Sequence, residues 1–165
     1  MNDTNCNDDL ITIAFSEYLK DKHLRHTAER DAIFEKICQT KYLFTLDTIW
    51  KQLECDNFRV SRASIYNTIE LLLDAKIVVR HQFTSTNVQY ELKCIAEQHH
   101  YIVCTSCGAI SEMKNGKLNG HFSNYKIPRF TPEYYTLYFY GLCSKCRYKL
   151  LHNKENNRKQ LKKQI

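Results

Sequence analysis

The sequence predicts an α+β protein in which a helical N-terminal domain precedes a smaller α/β domain held together by a metal. Three observations predict this architecture. Amphipathic helical patterns fill the first half, two β-rich runs around a polar turn follow them, and two Cys-x-x-Cys pairs lie in the last third. The expected boundaries are a flexible N-terminus at 1–9, a first domain at 10–92, a second domain at 93–150 and a basic tail at 151–165.

The composition indicates a folded protein in a reducing compartment. The 165 residues are 43% hydrophobic and include only four glycines and two prolines, unlike linkers or fibrous chains. No apolar run approaches the ~18 residues that span a membrane, so we expect no membrane contact. The first nine residues are polar and acidic, unlike an export signal. Eight cysteines in such a chain indicate metal-bound and free thiols, and a cytoplasmic location.

The net charge of +6 is concentrated at the C-terminus. Residues 147–165 hold seven Lys or Arg and one Glu, whereas the other residues hold 17 basic and 17 acidic side chains. A basic tail is typical both of a solvated chain end and of a segment that binds phosphates. An inference of nucleic-acid binding must therefore rest on local features.

Three helices are predicted before residue 56. We expect Thr27 and Thr45 to cap the second and third, because a threonine hydroxyl accepts hydrogen bonds from the N–H groups of a first turn. Apolar positions at helical spacing are expected to be buried. They are Leu10, Ile13, Ala14 and Leu19 in the first helix, Ile33, Phe34, Ile37 and Cys38 in the second, and Leu46, Ile49, Trp50 and Leu53 in the third.

A fourth helix, capped by Ser61, has the pattern of a DNA-recognition helix. Its predicted buried face consists of Ile65, Ile69, Leu72 and Leu73. The polar side chains left near its start are those of Arg62, Ser64, Tyr66, Asn67 and Glu70. The N-terminal end of such a helix enters the major groove, where guanidinium, hydroxyl and amide groups meet bases and phosphates.

Two β-rich runs at 77–83 and 88–92, around a polar turn at 84–87, predict a hairpin after this helix. Helices followed by a hairpin wing make a winged helix-turn-helix. The pattern alone leaves DNA binding and an ordinary solvated helix face equally open.

The pairs Cys104/Cys107 and Cys143/Cys146 predict a structural zinc site. Four thiolates can surround one Zn²⁺ tetrahedrally, which leaves no open coordination position. Each pair follows a β-rich run, so the metal would join two strands of a small sheet, with a further strand at 109–113 and a short helix near Leu118. Redox or unliganded thiols are the alternatives.

An enzyme, such as a thiol oxidoreductase or a hydrolase, is the alternative of a different class. The sequence has no HExxH motif and no phosphate-binding glycine loop, and it offers no Ser/His/Asp set. These absences favour a non-enzymatic function.

Several runs together resemble the ferric uptake regulator family: 24–30, 62–72, 77–81, 99–112 and 137–146. The resemblance covers about residues 15–150. It implies a homodimeric, metal-responsive transcription factor, of repressor type, that binds double-stranded operator DNA and controls genes of metal and iron homeostasis. It implies base contacts by Ser64 and Tyr66 and a minor-groove contact by Arg25. The other candidate DNA contacts are Arg30, Ser61, Arg62, Asn67 and Arg80.

The resemblance also implies a second, regulatory metal site that draws ligands from both domains. Glu91, His99 and Glu112 match its ligand positions, but Leu43 and Tyr101 stand where the family has histidines. A further family site is depleted in the same way, with Tyr135 and Asn119 at its ligand positions. The surviving nitrogen and oxygen donors suit Fe²⁺, Mn²⁺ or Zn²⁺.

Because the regulatory site lacks some of the family's ligands, the sequence does not determine which signal the protein responds to. His100 and His121 are candidates to complete the site, although in an extended strand His99 and Tyr101 share a face and His100 points away. Haem, zinc or peroxide are alternative signals, because a phenolate suits haem iron and Cys6, Cys55 and Cys94 are candidate free thiols.

Overall fold

The computed structural model describes residues 6–113, 126–132 and 134–161, with the side chains of 154–161 left out. The chain divides into two compact units, Met1–Gln98 and His99–Ile165. This division falls six residues beyond the predicted domain boundary.

The first unit consists of four helices, a two-stranded wing and a short final helix. Its elements in chain order are α1 Asp8–Asp21, α2 Ala28–Gln39, α3 Leu46–Cys55, α4 Arg62–Asp74, β1 Val78–Gln82, β2 Val88–Leu92 and α5 Lys93–Ala96. This order is the winged helix-turn-helix that the sequence predicts.

The three predicted helix caps are confirmed. The hydroxyl oxygens of Thr27, Thr45 and Ser61 accept hydrogen bonds from backbone N–H groups three residues later, at 3.2, 3.1 and 3.0 Å. Each cap satisfies a donor that the first turn would otherwise leave unpaired, which contributes about 1 kcal/mol. The starts of α2, α3 and α4 are therefore fixed by local chemistry.

One hydrophobic core serves the whole unit. Ile33, Ile37, Ile49, Ile65 and Ile69 are almost completely buried, as predicted. Each such side chain contributes about 1.5–3 kcal/mol by leaving water. Leu46, Trp50 and Leu73 are only partly buried and pack on the edge of this core.

The predicted buried face of α1 is confirmed at Leu19 and wrong at the other three positions. Leu10 and Ile13 are 63% and 53% exposed, and Ala14 is exposed as well. The buried positions are Phe15 and Leu19, with Ile11 and Tyr18 partly covered. Apolar residues lie on two sides of α1, and stacking of the Phe15 ring on Phe34, 4.7 Å between centroids, determines which side faces the core.

The wing is an antiparallel pair in which Val79 lies opposite Glu91 and Arg80 opposite Tyr90. The segment before α3 joins it, because Phe44 and Tyr90 exchange backbone hydrogen bonds of 2.9 and 2.8 Å. The predicted hairpin is confirmed, and α3 is anchored to the wing.

The second unit contains a three-stranded sheet and a C-terminal helix. The strands are β3 Tyr101–Cys104, β4 Ile110–Glu112 and β5 Tyr138–Gly141, in the order β4-β3-β5. β3 pairs antiparallel with β4 and parallel with β5. The predicted β-rich run before the second cysteine pair is β5, and the predicted helix near Leu118 lies outside the described residues.

Helix α6 spans Ser144–Leu161. It crosses the predicted boundary between the second domain and the basic tail. Residues 151–161 of the predicted basic tail therefore continue a helix that starts at the second cysteine pair.

Cys6 and Cys94 form a disulfide, with 5.7 Å between their Cα atoms and a sequence separation of 88. The prediction of free thiols at these two positions is therefore wrong. The bond joins the segment before α1 to α5. Cys55 is free, as predicted, and Cys38 is a buried free thiol, in agreement with its predicted place in the core. Within the part of the chain that the structure describes, every helix is too short or too polar to cross a membrane.

Candidate DNA-binding surface and metal sites

The exposed side of α4 faces a cleft between the helices and the wing. Tyr66 is 56% exposed, and Asn67 beside it is exposed too. The cleft has a volume of about 480 Å³. Its polar lining comes from the starts of α3 and α4 and from the wing, namely Thr45, Asp47, Arg62, Tyr66, Arg80 and Thr86.

Arg62 is the first residue of α4, and two residues of α3 hold its guanidinium. Its NH1 atom lies 2.6 Å from Asp47 Oδ1, and its central carbon lies 4.9 Å from the ring centroid of Trp50. Arg80 projects from the outer face of β1 and is exposed. The two arginines thus flank the cleft from helix and wing.

Ser61 and Ser64, the two serines predicted to contact DNA, form hydrogen bonds within the protein. Ser61 Oγ accepts the capping hydrogen bond and lies 2.9 Å from Ser64 Oγ. The Ser64 hydroxyl also donates to the Glu29 carboxylate of α2. Both hydroxyls therefore position the start of α4, and Tyr66 and Asn67 are the more accessible side chains.

Arg25 lies in the exposed turn between α1 and α2. The half-buried Arg30 reaches back from the start of α2 and donates from NH1 to the Arg25 carbonyl oxygen. Arg30 therefore orients the turn that presents Arg25.

The four predicted zinc ligands converge. The sulfur atoms of Cys104, Cys107, Cys143 and Cys146 all lie within 4.8 Å of one another. The parallel pairing of β3 with β5 places Cys104 opposite Gly141, and the Thr105 N–H donates to the Gly141 carbonyl at 2.8 Å. The end of each strand thus leads directly into one cysteine pair.

Backbone geometry prepares the first cysteine pair for a cation. Gly108 has φ +69°, a conformation that glycine adopts without strain. The Cys143 N–H donates to Cys104 Sγ at 3.3 Å. Backbone N–H groups of Cys143, then Cys107 and Ser106, lower the pKa of the Cys104 thiol to about 6. This thiol is thereby ready to bind metal as a thiolate.

The pKa of Cys146 in the second cysteine pair is raised, in contrast to that of Cys104. A hydrogen bond with Ser106 lowers the pKa of Cys146, but hydrogen bonds with the Cys143 and Cys107 thiols outweigh it and raise that pKa to about 11. Four clustered sulfur atoms cannot all ionise without a compensating charge. An all-sulfur donor set of this size suits one structural Zn²⁺.

Two of the residues predicted to form the regulatory metal site lie close together. His99 Nε2 lies 3.8 Å from Glu112 Oε1 in the second unit. The Tyr101 hydroxyl lies 3.3 Å from His99 Nδ1, which confirms that these two side chains share a face. Tyr101 therefore orients the His99 ring, as residues around metal-binding histidines commonly do.

Glu91 belongs to the first unit, and its side chain is fully buried. Its Oε2 atom lies 3.3 Å from Nε2 of His81, which is equally buried. His81 is not among the predicted site residues. The hairpin register, in which Val79 faces Glu91, places both side chains on one face and could have indicated the pair.

His100 is 1% exposed, with its ring 6.0 Å from that of Tyr135. Among the described residues neither nitrogen of this ring has a hydrogen-bond partner. His121 lies outside the described residues. Within them, the four cysteines are the one set of three or more His, Cys, Asp or Glu side chains close enough to hold a metal.

A winged helix with an arginine-flanked cleft, followed by a four-sulfur metal site, defines the class of metal-binding transcriptional regulators. The sequence model of the "Ferric uptake regulator family" matches residues 21–139. The chain belongs to this family, one of metal-dependent transcriptional regulators.

The chain is similar to regulators from several bacteria. It is 26% identical over 145 residues to the "Ferric uptake regulation protein" of Campylobacter upsaliensis, covering 86% of this chain and 92% of that protein. It is 25% identical over 142 residues to the "Peroxide operon regulator" of Bacillus subtilis, covering 82% and 93%. The fold resembles that of the ferric uptake regulator from Pseudomonas aeruginosa solved with manganese. The TM-score is 0.64 at 20% identity, over 78% of this chain and 97% of that one.

Proposed function

We propose that this chain is a cytoplasmic, metal-dependent transcriptional regulator that binds operator DNA as a homodimer and represses genes of metal homeostasis. The observation that carries the proposal is the cleft flanked by Arg62 and Arg80, with Tyr66 and Asn67 exposed on the recognition helix. A helix N-terminus with basic, aromatic and amide groups is suited to the major groove. A binding function of this kind needs no catalytic residues, so we propose no enzymatic activity.

Exposed apolar surface in the second unit supports dimerisation. Large apolar side chains with 40% or more of their surface exposed are concentrated there: Ile102, Ile127, Phe130, Tyr134, Phe139, Tyr140, Leu142, Tyr148, Leu150 and Leu151. So much exposed apolar surface on a small unit is typical of a protein interface. We propose a second copy of the chain as its partner.

The His99–Glu112 pair supports regulation by a divalent metal. Imidazole and carboxylate donors suit Fe²⁺, Mn²⁺ or Zn²⁺, and Tyr101 holds the imidazole in place. We propose that a metal bound at this pair favours the state of the protein that binds DNA. The contact between the Tyr101 hydroxyl and His99 supports a role for Tyr101 in orienting this histidine.

Duplex selection from a random library, followed by fluorescence anisotropy, tests DNA binding. The wild-type protein is expected to enrich a palindromic duplex, because a two-fold dimer reads two half-sites. Tyr66→Ala and Asn67→Ala should each weaken binding to that duplex about 10-fold or more. Enrichment of no sequence would overturn the proposal.

Chelation followed by addition of single metals tests the regulation. We expect Fe²⁺, Mn²⁺ or Zn²⁺ to restore operator binding to the wild type but not to His99→Ala or Glu112→Gln. His23→Asn, which removes an exposed imidazole and tolerates the positive φ of this residue, is the matched control. Binding that ignores metal in all four proteins would exclude a divalent signal, and parallel arms with haem and hydrogen peroxide would then identify the alternative.

A further inference from the structure

The Arg62 guanidinium is fixed before any DNA arrives. One of its nitrogens lies 2.6 Å from Asp47 Oδ1, and its central carbon lies 4.9 Å from the centroid of the Trp50 ring. Trp50 itself is anchored, because it is partly buried against the core of the first unit. The two contacts together favour one orientation of an arginine side chain that would otherwise sample many rotamers at the start of the recognition helix.

Fold stability does not account for this arrangement. The side chains of Arg62 and Asp47 are 63% and 60% exposed, and ion pairs at such exposure contribute little to folding. Both side chains line the cleft that faces the proposed DNA surface. We therefore expect the contacts of Arg62 with Asp47 and Trp50 to affect how DNA binds in the cleft.

The charge of the Arg62–Asp47 pair determines whether Arg62 binds DNA phosphates or base edges. An unpaired arginine attracts every phosphate, so it strengthens binding to all sequences alike. With Asp47 beside it, the pair carries no net charge, and the carboxylate repels phosphates that approach closely. The guanidinium still has donors that Asp47 does not use, and two of them match the O6 and N7 acceptors of guanine.

We propose that Asp47 and Trp50 are specificity-determining positioning residues that hold Arg62 for readout of a base edge and away from the phosphates. Neither residue needs to contact a base. The inference rests on the proposed DNA-binding function and deepens it, because it states how α3 contributes to sequence recognition by α4.

Duplex selection with sequencing tests the inference, with the wild type, Arg62→Ala, Asp47→Asn and Glu54→Gln compared under one salt condition. We expect Arg62→Ala and Asp47→Asn to lose base preference at the same positions of the selected site. Glu54→Gln removes the same charge from the other end of α3 and should retain the wild-type preferences. Asp47→Asn should also bind unrelated duplex about 3- to 10-fold more tightly, with a salt slope steeper by about one charge, because Arg62 is released to the phosphates.

Trp50 is tested with a conservative pair of variants. Trp50→Phe retains an aromatic face and should retain specificity, whereas Trp50→Leu should lose preference at the Arg62 positions. Circular dichroism and thermal unfolding identify any variant that does not fold, and Asp47→Asn carries the test in that case. Unchanged base preferences in Asp47→Asn, or an Arg62→Ala variant that weakens all duplexes equally, would overturn the inference. Failure of the wild type to select any sequence would instead overturn the proposed function.

Discussion

The imidazole of His81 and the carboxylate of Glu91 approach to 3.3 Å on one face of the wing, and both side chains are fully buried. Burial of a charged group costs several kcal/mol unless an opposite charge or hydrogen bonds compensate for it. The wing therefore carries two polar groups that depend on each other. One of them, Glu91, is a predicted metal ligand, and in this structure its carboxylate lies against His81.

Replacement of His81 by leucine is expected to destabilise the protein by about 3 kcal/mol, because it leaves the Glu91 carboxylate buried without the imidazole. A double variant with leucine at both positions should recover part of this loss. Urea unfolding of the wild type, both single variants and the double variant measures the coupling. Gln82→Ala, an exposed change on the same strand, is the control. Single-variant losses that simply add in the double variant would show that the pair is not coupled.

Loss of one zinc ligand is expected to unfold the second unit. Structural zinc contributes ~10 kcal/mol or more to folding in small metal domains. Cys143→Ser should contain no stoichiometric zinc and should lose hydrogen-exchange protection in β3 and β5. Cys55→Ser, which removes an exposed free thiol, should retain both the metal and the protection. Protection of these strands after complete zinc removal would contradict the assigned role.

The Tyr18–Asp74 contact gives a pH dependence with a defined sign. The Tyr18 hydroxyl donates to Asp74 Oδ2 at 2.6 Å, and Lys22 Nζ lies 3.0 Å from the same oxygen. The hydrogen bond from Tyr18, and then Lys22, lower the pKa of Asp74 below its usual range. Because the folded pKa is lower than the unfolded one, the stabilisation is complete above pH ~4 and is lost as the pH falls through the folded value.

Tyr18→Phe should therefore raise the pKa of Asp74 toward its ordinary value and weaken the acid dependence of stability. NMR titration of the Asp74 carboxyl measures the first effect, and thermal unfolding between pH 2 and 6 measures the second (about four pH units suffice for one titration). An unchanged Asp74 pKa in Tyr18→Phe would show that Lys22 alone sets it.

The cysteines should fall into distinct classes of reactivity. Cys55 is exposed and should react with a thiol reagent at once, whereas burial, and then the Asp8 carboxylate, raise the pKa of Cys38 to about 12. Cys38 should therefore react only on unfolding. Cys6 and Cys94 should react only after dithiothreitol treatment, and Cys6→Ser should cost about 2–4 kcal/mol of stability under oxidising conditions. Mass spectrometry of labelled peptides measures each class, and labelling of Cys94 without reductant would exclude the disulfide.

The features that the sequence predicts correctly depend on residues close together in the chain. The caps at Thr27, Thr45 and Ser61 depend on neighbouring backbone atoms alone, and the stripes of α2, α3 and α4 each have one clear apolar side. The face of α1 is not predictable in this way, because apolar residues on two sides leave the choice to Phe34 in another helix.

The features that the sequence does not predict depend on contacts between residues far apart in the chain or on the positions of side chains. The Cys6–Cys94 bond joins positions 88 residues apart, and no local pattern indicates such a pairing. The zinc site is predictable because two Cys-x-x-Cys pairs are a spacing typical of four thiolate ligands around one metal ion. The partner of Glu91 needs the hairpin register as well as the residue types, and the role of Tyr101 as an orienting hydroxyl needs the position of the His99 ring.

The parallel pairing of β3 with β5 has a consequence for the supply of active protein. Parallel strands cannot be joined by a tight turn, and long connections of this kind close slowly during folding. Zinc bound by Cys104 and Cys107 would restrict where β5 can pair, since Cys143 follows β5 by only two residues. Newly made chains in a zinc-starved cell would remain open for longer and be exposed to proteases. The number of regulator molecules would then follow zinc availability, whatever signal controls the regulator's DNA affinity.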